Sequence, residues 1–477
     1  MSLTDLTDVV DAEAPPGEEP HRYSMRKALA ALALRLHFYA GVFVAPFILV
    51  AAVTGGLYAV APTVESIVNH DLLHVDSTGP ARSLAEQVAA ARGVEPNLVL
   101  SAVDPAQRTG DTTRVLFTDP TLGESENRAV FIDPQTAHPV GDRVVYGSTG
   151  ALPLRTWIDR LHRNLHLGET GRLYSELAAS WLWVVALAGL VLWVRRSRRG
   201  GVRRLLWPDR SRAGRRRTVG WHAAVGVWIL LPLLFLSATG MTWSTHAGAH
   251  IDRLRAELSW TTPSVRTALP GAGQSAVPAG EHDHHGSHAV ASGDRDRQLD
   301  AVFATARAQG LDGPVEITVP ATGADAVTVK ERRLSGVLTQ DAVAVDGSTG
   351  AVTDIQRFAD WPLAAKLANW GIQLHMGMMF GLANQLLLLA TMIGLLTVIV
   401  RGYLMWWQRR PVRTGQRPSF GRPPRRGALR RTPVALLVPL AVIAAAVGWF
   451  APLIGIPLLV FLAVDVLLGL LRRPRTA

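Results

Sequence analysis

The apolar positions of this chain fall in long blocks rather than in short alternating runs. Leu36–Val60, Tyr174–Val194, Val219–Ser244 and Gly381–Val400 each hold seventeen or more residues with few charges. A helix needs roughly 20 apolar residues to cross about 30 Å of hydrocarbon, so each block is expected to be a transmembrane span. A close apolar pair follows at Pro433–Trp449 and Ala451–Leu471, hinged at Trp449–Pro452. Between these blocks the period changes. Ser83–Arg92 and Arg297–Gln309 carry apolar residues at helical spacing. Strand-like alternation follows at Arg114–Phe117 and Ala129–Ile132 in the first segment, and at Val315–Val319, Ala326–Val329 and Ala342–Val345 in the second. Each segment closes on a turn-bearing hairpin, Ile132–Gly141 and Val345–Val352.

The fold class expected from this pattern is an α-helical polytopic membrane protein of about six transmembrane helices, with two small extracytoplasmic α+β domains. Its parts are a tail (1–35), a first span (36–60), a first outer domain (61–155), and a juxtamembrane helix with the second span (156–194). A basic loop (195–218), a third span (219–244) and a second outer domain with a His-rich linker (245–360) come next. The fourth span region (361–408), a second basic loop (409–432) and a terminal two-span hairpin (433–471) complete the chain.

Charge fixes the expected orientation. The chain has a formal net charge of +11, and its arginines are concentrated in two short stretches. Arg195–Thr218 holds eleven arginines against one acid, Asp209, and Arg401–Arg431 holds ten and no acid. Short basic loops directly after apolar spans mark the cytoplasmic side, which explains the charge without nucleic acid. Arg26, Lys27 and Arg35 put the N-terminus inside, and Arg472, Arg473 and Arg475 put the C-terminus inside. Six spans satisfy all of these constraints and leave segments 61–173 and 245–370 outside. Ala59-Val60-Ala61 has the small-x-small form of a signal cleavage site, but Pro62 follows and the apolar run is long, so the first span is expected to remain an anchor. The chain has no cysteine, which excludes disulfides, thiolate metal sites and iron–sulfur clusters.

The spans are duplicated. His37, Gly41 and Thr54-Gly55 in the first match His222, Gly226 and Thr239-Gly240 in the third at identical spacing, with Pro46 and Pro232 about halfway. Leu161-His162, with Leu165-His166-Leu-Gly168 behind it, precedes the second span, and Leu374-His375-Met-Gly377 precedes the fourth. The candidate chemistry lies in these histidines. A neutral imidazole is a good iron ligand, and a histidine is costly in an apolar span. His37 and His222 begin their spans at the cytoplasmic end, while His162, His166 and His375 sit at the outer end. Imidazoles from facing helices fill both axial positions of a haem, a closed coordination suited to electron transfer. Gly41 and Gly226 share a helical face with their histidines and leave room for a flat macrocycle. Arg35, Arg163 and Arg172 are candidate partners of propionates. The bland alternative is that interfacial histidines snorkel or cap helix ends.

Three further features weigh less. His282, His284, His285 and His288 form a possible metal-binding tract in a Gly/Ala/Pro-rich linker without fixed geometry. Asp465, inside the last span, is expected to face the bundle interior. No Walker A loop, H-E-x-x-H or Gly-x-Ser-x-Gly motif is present, so ATPase, zinc-protease and serine-hydrolase readings lack support.

The helix-plus-hairpin modules resemble PepSY domains, and the chain from about 30 to 410 resembles the PepSY-associated transmembrane family. That family includes iron-regulated membrane proteins and ferric-siderophore reductases of the bacterial inner membrane. The resemblance rests on the His-x3-Gly starts, on the Leu-His-x5-Gly-x2-Gly stretch ending at Gly171, and on Leu-His-x-Gly-x3-Gly ending at Gly381. It implies a dihaem b-type membrane reductase of ferric siderophores or other ferric complexes, fed by an unidentified electron donor. The family pattern favours His162 as the outer ligand, whereas matching Leu165-His166 to Leu374-His375 favours His166. The competing reading is a non-enzymatic envelope protein whose PepSY-like domains bind a peptide, a regulator or a metal.

Overall fold

The structure, a computed structural model, describes residues 24–197, 201–211, 213–269, 293–410, 423–424 and 426–471. The chain begins with helices α1 (Met25–Phe43), α2 (Ala45–Val68) and the single turn α3 (His70–Leu73). Helix α4 (Leu84–Val94) leads into strands β1 (Val99–Asp104), β2 (Thr113–Thr118), β3 (Glu126–Ile132) and β4 (Pro139–Tyr146). Next come α5 (Pro153–Asn164), α6 (Gly168–Ser197), α7 (Gly201–Leu206), α8 (Gly214–Trp228), α9 (Leu230–Thr242) and α10 (His246–Glu257). The second copy runs through α11 (Gly293–Ala308), β5 (Val315–Thr318), β6 (Val327–Glu331), β7 (Ala342–Val345) and β8 (Val352–Gln356) to α12 (Leu363–His375) and α13 (Gly381–Trp407). Helices α14 (Val434–Phe450) and α15 (Pro452–Leu471) end the described chain.

Among the described residues, α2, α6 and α13 are long and apolar enough to cross a membrane, and α8 with α9 makes a fourth crossing if that pair, bent by 57°, is one span. The apolar stretches of α14 and α15 are shorter. This is a membrane protein with three to four candidate spans by helix length. The expected first span is not one helix. It breaks at Val44, and its second part continues past Val60 to Val68. Pro46 is the cause: it has no N–H to donate to the carbonyl four residues back, Val42. The Tyr403 hydroxyl donates to that carbonyl instead, at 2.9 Å. Pro232 stands just after the equivalent break at Ile229, between α8 and α9. The repeated prolines therefore mark two repeated helix breaks.

The chain divides into two units. The first, Met1–Ala52, Arg172–His250 and Ile393–Ala477, is helical in its described residues. Within it, Ser237 Oγ donates to Ala179 O at 2.6 Å, and the fully buried Glu176 carboxylate accepts from the Ala247 and His246 amides at 2.9 and 3.1 Å. Glu176 thereby caps the start of α10 and spares two amide donors an unpaired existence in an apolar setting.

The second unit, Val53–Gly171 and Ile251–Met392, contains the sheet. Two small α+β domains were expected. The strands instead form one eight-stranded sheet in the order β4-β3-β2-β1-β5-β6-β7-β8, antiparallel throughout. Each copy contributes a four-stranded meander, and the copies join where Ala102 and Val103 pair with Thr318 and Ile317. Alternate residues of both meanders, among them Val103, Val115, Phe117, Val130, Ile317, Val329 and Val343, pack with α4 and α11 into a single core. Asp300 of α11 accepts from the Leu84 and Ala85 amides at 2.7 and 3.2 Å, so one copy caps the helix of the other. Arg92 and Asp296 tie the same helices at 2.7 Å.

The opposite face is apolar under the first meander, where Leu72, Leu116, Phe131 and Leu152 cluster. At the seam it is charged. Asp104 of β1 and Arg332, one residue past β6, pair at 3.0 Å with both side chains buried. Burial, and then the Asp104 charge, push the neighbouring Glu316 carboxyl up from 4.5 to about 7, against the pull of Arg332 and Lys330. A carboxyl with a raised folded-state pKa holds its proton longer in the folded chain than in the unfolded one. Stability therefore falls as pH rises from about 4.5 through 7 and stays reduced above it. Glu316→Gln is expected to stabilise the full chain at pH 8 by on the order of 1–3 kcal/mol, seen as a higher unfolding midpoint, with the gain vanishing towards pH 4.5. Thermal unfolding across that range checks both the sign and the pH window.

Candidate functional site

Two histidine pairs stand out, one in each unit. In the helical unit, His37 of α1 and His222 of α8 face each other with ring centroids 6.0 Å apart and planes at 78°. Each ring is seated in the same way. His37 Nδ1 lies 2.9 Å from Val185 O of α6, and His222 Nδ1 lies 2.9 Å from Val398 O of α13. A carbonyl only accepts, so both Nδ1 atoms carry the proton and both Nε2 atoms present a lone pair. One turn further along each supporting helix stands a glycine. A Cβ at Gly189 would meet His37 Cε1 at 2.8 Å, and one at Gly402 would meet His222 Cε1 at 3.7 Å. Carbonyl and glycine, four residues apart, thus form a slot for an imidazole edge.

These residues fit the expected cofactor. Metal–imidazole bonds are about 2 Å long, so two imidazoles on one metal have centroids roughly 6 Å apart. A Cβ at Gly41 or Gly226 would meet nothing within 4 Å, which leaves open space one turn beyond each histidine. Arg35 is not poised for a propionate, because it pairs with Asp465 at 2.9 Å.

In the other unit, His162 of α5 packs on α2. Its Nδ1 and Thr54 Oγ1 are hydrogen-bonded at 2.9 Å, and a Cβ at Gly55 would meet its Cε1 at 3.0 Å. The Thr-Gly landmark of the repeat therefore has a physical role at its first occurrence. Tyr58 stacks on the same ring, with centroids 6.5 Å apart at 18°. Both rings are partly buried, and His162 is the neighbour of His375. His166 lies elsewhere, in a left-handed turn between α5 and α6, exposed and stacked on Trp157 at 5.1 Å. Its Nε2 donates to Trp157 O at 3.0 Å. The structure thus brings His162, and not His166, to His375.

That choice was also present in the sequence under a different alignment. A constant offset of 213 relates Leu161-His162 to Leu374-His375, Val185 to Val398, Gly189 to Gly402 and Trp193 to Trp406. Matching Leu165-His166 to Leu374-His375 breaks this register. Sequence reasoning missed Val185, Val398 and Gly402, whose roles depend on a carbonyl and on an absent side chain. Arg163 donates to the Tyr146 hydroxyl at 2.8 Å, and Arg172 to Thr245 and Trp243 O, so both serve local packing. His282, His284, His285 and His288 lie outside the described residues. Among the described residues no cluster of three or more His, Asp or Glu is placed to hold a metal ion.

The glycines of the His37 and His222 slots invite a differential test. A Gly-to-Ala change in a helix gains up to about 1 kcal/mol in propensity. At Gly189 the 2.8 Å contact with His37 outweighs this, because overpacking costs about 1–3 kcal/mol. At Gly402 the 3.7 Å contact is ordinary. Gly189→Ala is expected to lower the unfolding midpoint of the chain, while Gly402→Ala leaves it unchanged or raised. Equal destabilisation by both would refute the slot geometry.

A family model described as the PepSY-associated TM region matches residues 34–409. That match takes in most of the chain, and the protein belongs to this family. Comparison with curated proteins finds no match.

Proposed function

We propose that this PepSY-associated TM-region protein is a dihaem b-type membrane reductase that carries electrons to a ferric complex, such as a ferric siderophore, in iron uptake. The observation that carries the reading is the His37–His222 pair, 6.0 Å apart, with both Nδ1 atoms donated to carbonyls on repeat-related helices. A haem held by two imidazoles supplies reversible one-electron transfer and has no open position for a substrate. His37 and His222 would hold one haem, and His162 and His375 the other. The carbonyls of Val185 and Val398 fix the tautomer, and Gly189 and Gly402 fix the ring edges, so neither ligand reorients between oxidation states.

The chain is read as lying in the bacterial cytoplasmic membrane, with six spans, both termini inside and the sheet outside. Arginine asymmetry supports that orientation: Arg195–Thr218 and Arg401–Arg431 follow apolar segments, whereas the sheet-bearing segments are far less basic. On this reading electrons pass from a cytoplasmic-side donor towards the sheet, where a ferric complex accepts one electron and becomes ferrous. Hard oxygen donors hold ferrous iron more weakly, which releases the metal.

The purified protein is expected to give sharp b-type bands in a reduced-minus-oxidised spectrum; a colourless protein would defeat the proposal. His37→Ala and His222→Ala should each remove one and the same spectral component. His162→Ala and His375→Ala should remove the other, and His166→Ala should remove neither. Loss of one component by both His37→Ala and His375→Ala would overturn the pairing. Gly41→Leu fills space that no protein atom occupies. It should preserve folding, seen by thermal unfolding, yet lower haem content at the His37–His222 site.

A further inference from the structure

The terminal hairpin lies beyond the family match, which ends at residue 409. In the helical unit it is tied down at several points. Trp181 Nε1 donates to Leu453 O at 2.8 Å, His250 Nδ1 donates to Phe450 O at 2.7 Å, and the His250 ring stacks on Trp449 with centroids 5.2 Å apart. Phe461 of α15 packs on Tyr39 of α1, with centroids 4.8 Å apart. At the hairpin's far end Asp465 meets two cations. Its Oδ1 is 2.9 Å from Arg35 Nη2 and 3.6 Å from Arg426 Nε, with the Asp465 and Arg35 side chains largely buried. The Arg35 guanidinium also lies over the Tyr39 ring, 5.7 Å from its centroid.

Arg35 is two residues from His37, so it projects from the opposite side of α1, about one helix diameter from the imidazole. We propose that Asp465 is the counter-ion of the His37–His222 site: it pairs with Arg35, two residues from His37, and with Arg426, and offsets their positive charge. This rests on the haem reading above. Reduction of a bis-histidine ferric haem adds one negative charge, so a nearby cation favours the reduced form and a nearby anion opposes it. A unit charge about 12 Å away, at an effective dielectric of about 20, changes the reduced-to-oxidised ratio roughly tenfold at fixed ambient potential. Asp465 thereby keeps the site harder to reduce than its two arginines alone would make it. A hairpin added outside the family core sets the driving force of the inner electron-transfer step.

The alternative is that the pair serves only to bury Asp465 among apolar helices, and charge sign separates the two. Potentiometric titration of the full-length protein follows the spectral component that His222→Ala removes. Asp465→Asn is expected to make that component easier to reduce, about tenfold in the ratio at fixed potential, and Arg35→Gln harder. Asp465→Glu should stay near wild type, and the component removed by His375→Ala should not move. If Asp465→Asn and Arg35→Gln shift the component in the same direction, or leave it in place, the counter-ion role is overturned. Should Asp465→Asn lose the component altogether, Arg426→Gln carries the test, because it leaves the Arg35–Asp465 pair intact. It should make the component harder to reduce, and an unchanged titration overturns the proposal. A colourless wild type would fail earlier and differently, by removing the haem reading on which this one stands.

Discussion

An imidazole placed between helices must settle two nitrogens, and the functional arrangement depends on how one of them is settled. His37 and His222 each give their Nδ1 proton to a main-chain carbonyl at 2.9 Å. That bond costs no side chain and exposes no charge. It fixes which nitrogen remains free, and it fixes the rotation of the ring. A carbonyl accepts a second hydrogen bond readily because it has two lone pairs, so Val185 and Val398 keep their places in their own helices. The glycine at 189 follows from the same requirement: the His37 ring edge overlies the next turn, where a Cβ would come within 2.8 Å, whereas at 402 the clearance is 3.7 Å and a methyl group fits. The requirement explains the spacing of carbonyl and glycine, four residues apart, in the first copy.

The second pair meets the requirement differently. His162 takes a hydroxyl partner, Thr54, and a glycine neighbour, Gly55, from consecutive positions of one helix. A hydroxyl can donate or accept, whereas a carbonyl only accepts. The ring is instead confined by Tyr58 stacked on it. Two seats built from the same duplicated segments thus hold their histidines with different stiffness, and the seat with two carbonyls is the more strictly determined.

Much of this arrangement was legible in the sequence, and the reasons for the rest are physical. The spans follow from hydropathy, because exclusion from water acts on whole blocks. The break at Val44 was signalled by Pro46 but not fixed by it: a proline either kinks or breaks a helix, and the outcome depends on what satisfies the orphaned carbonyl, here Tyr403 from far along the chain. The merger of two α+β modules into one sheet had no local signal. Ala102 and Thr318 become neighbours through an edge pairing that any two exposed β-edges permit. His162 and His166 both satisfied a local pattern, and only packing against α2 separates them. Asp465 read as interior-facing because a carboxylate in an apolar helix needs a partner, and the partner proved to be Arg35.

The duplication is no longer divisible. Each histidine pair takes one member from each copy: His37 with His222, and His162 with His375. The sheet does the same, since β1 and β5 are each the inner edge of a four-stranded meander and close only on each other. Cut apart, each meander would present that edge unpaired, and α4 and α11 would each lose half of their shared core. Asp300 would no longer reach the amides of Leu84 and Ala85. A single copy could therefore neither complete a histidine pair nor bury its own sheet. Drift between the copies is free only where the partner copy does not read the residue. That is consistent with His37, Gly41 and Thr54-Gly55 keeping register with their counterparts while the lower faces of the two meanders, apolar in one and charged towards the seam, have diverged.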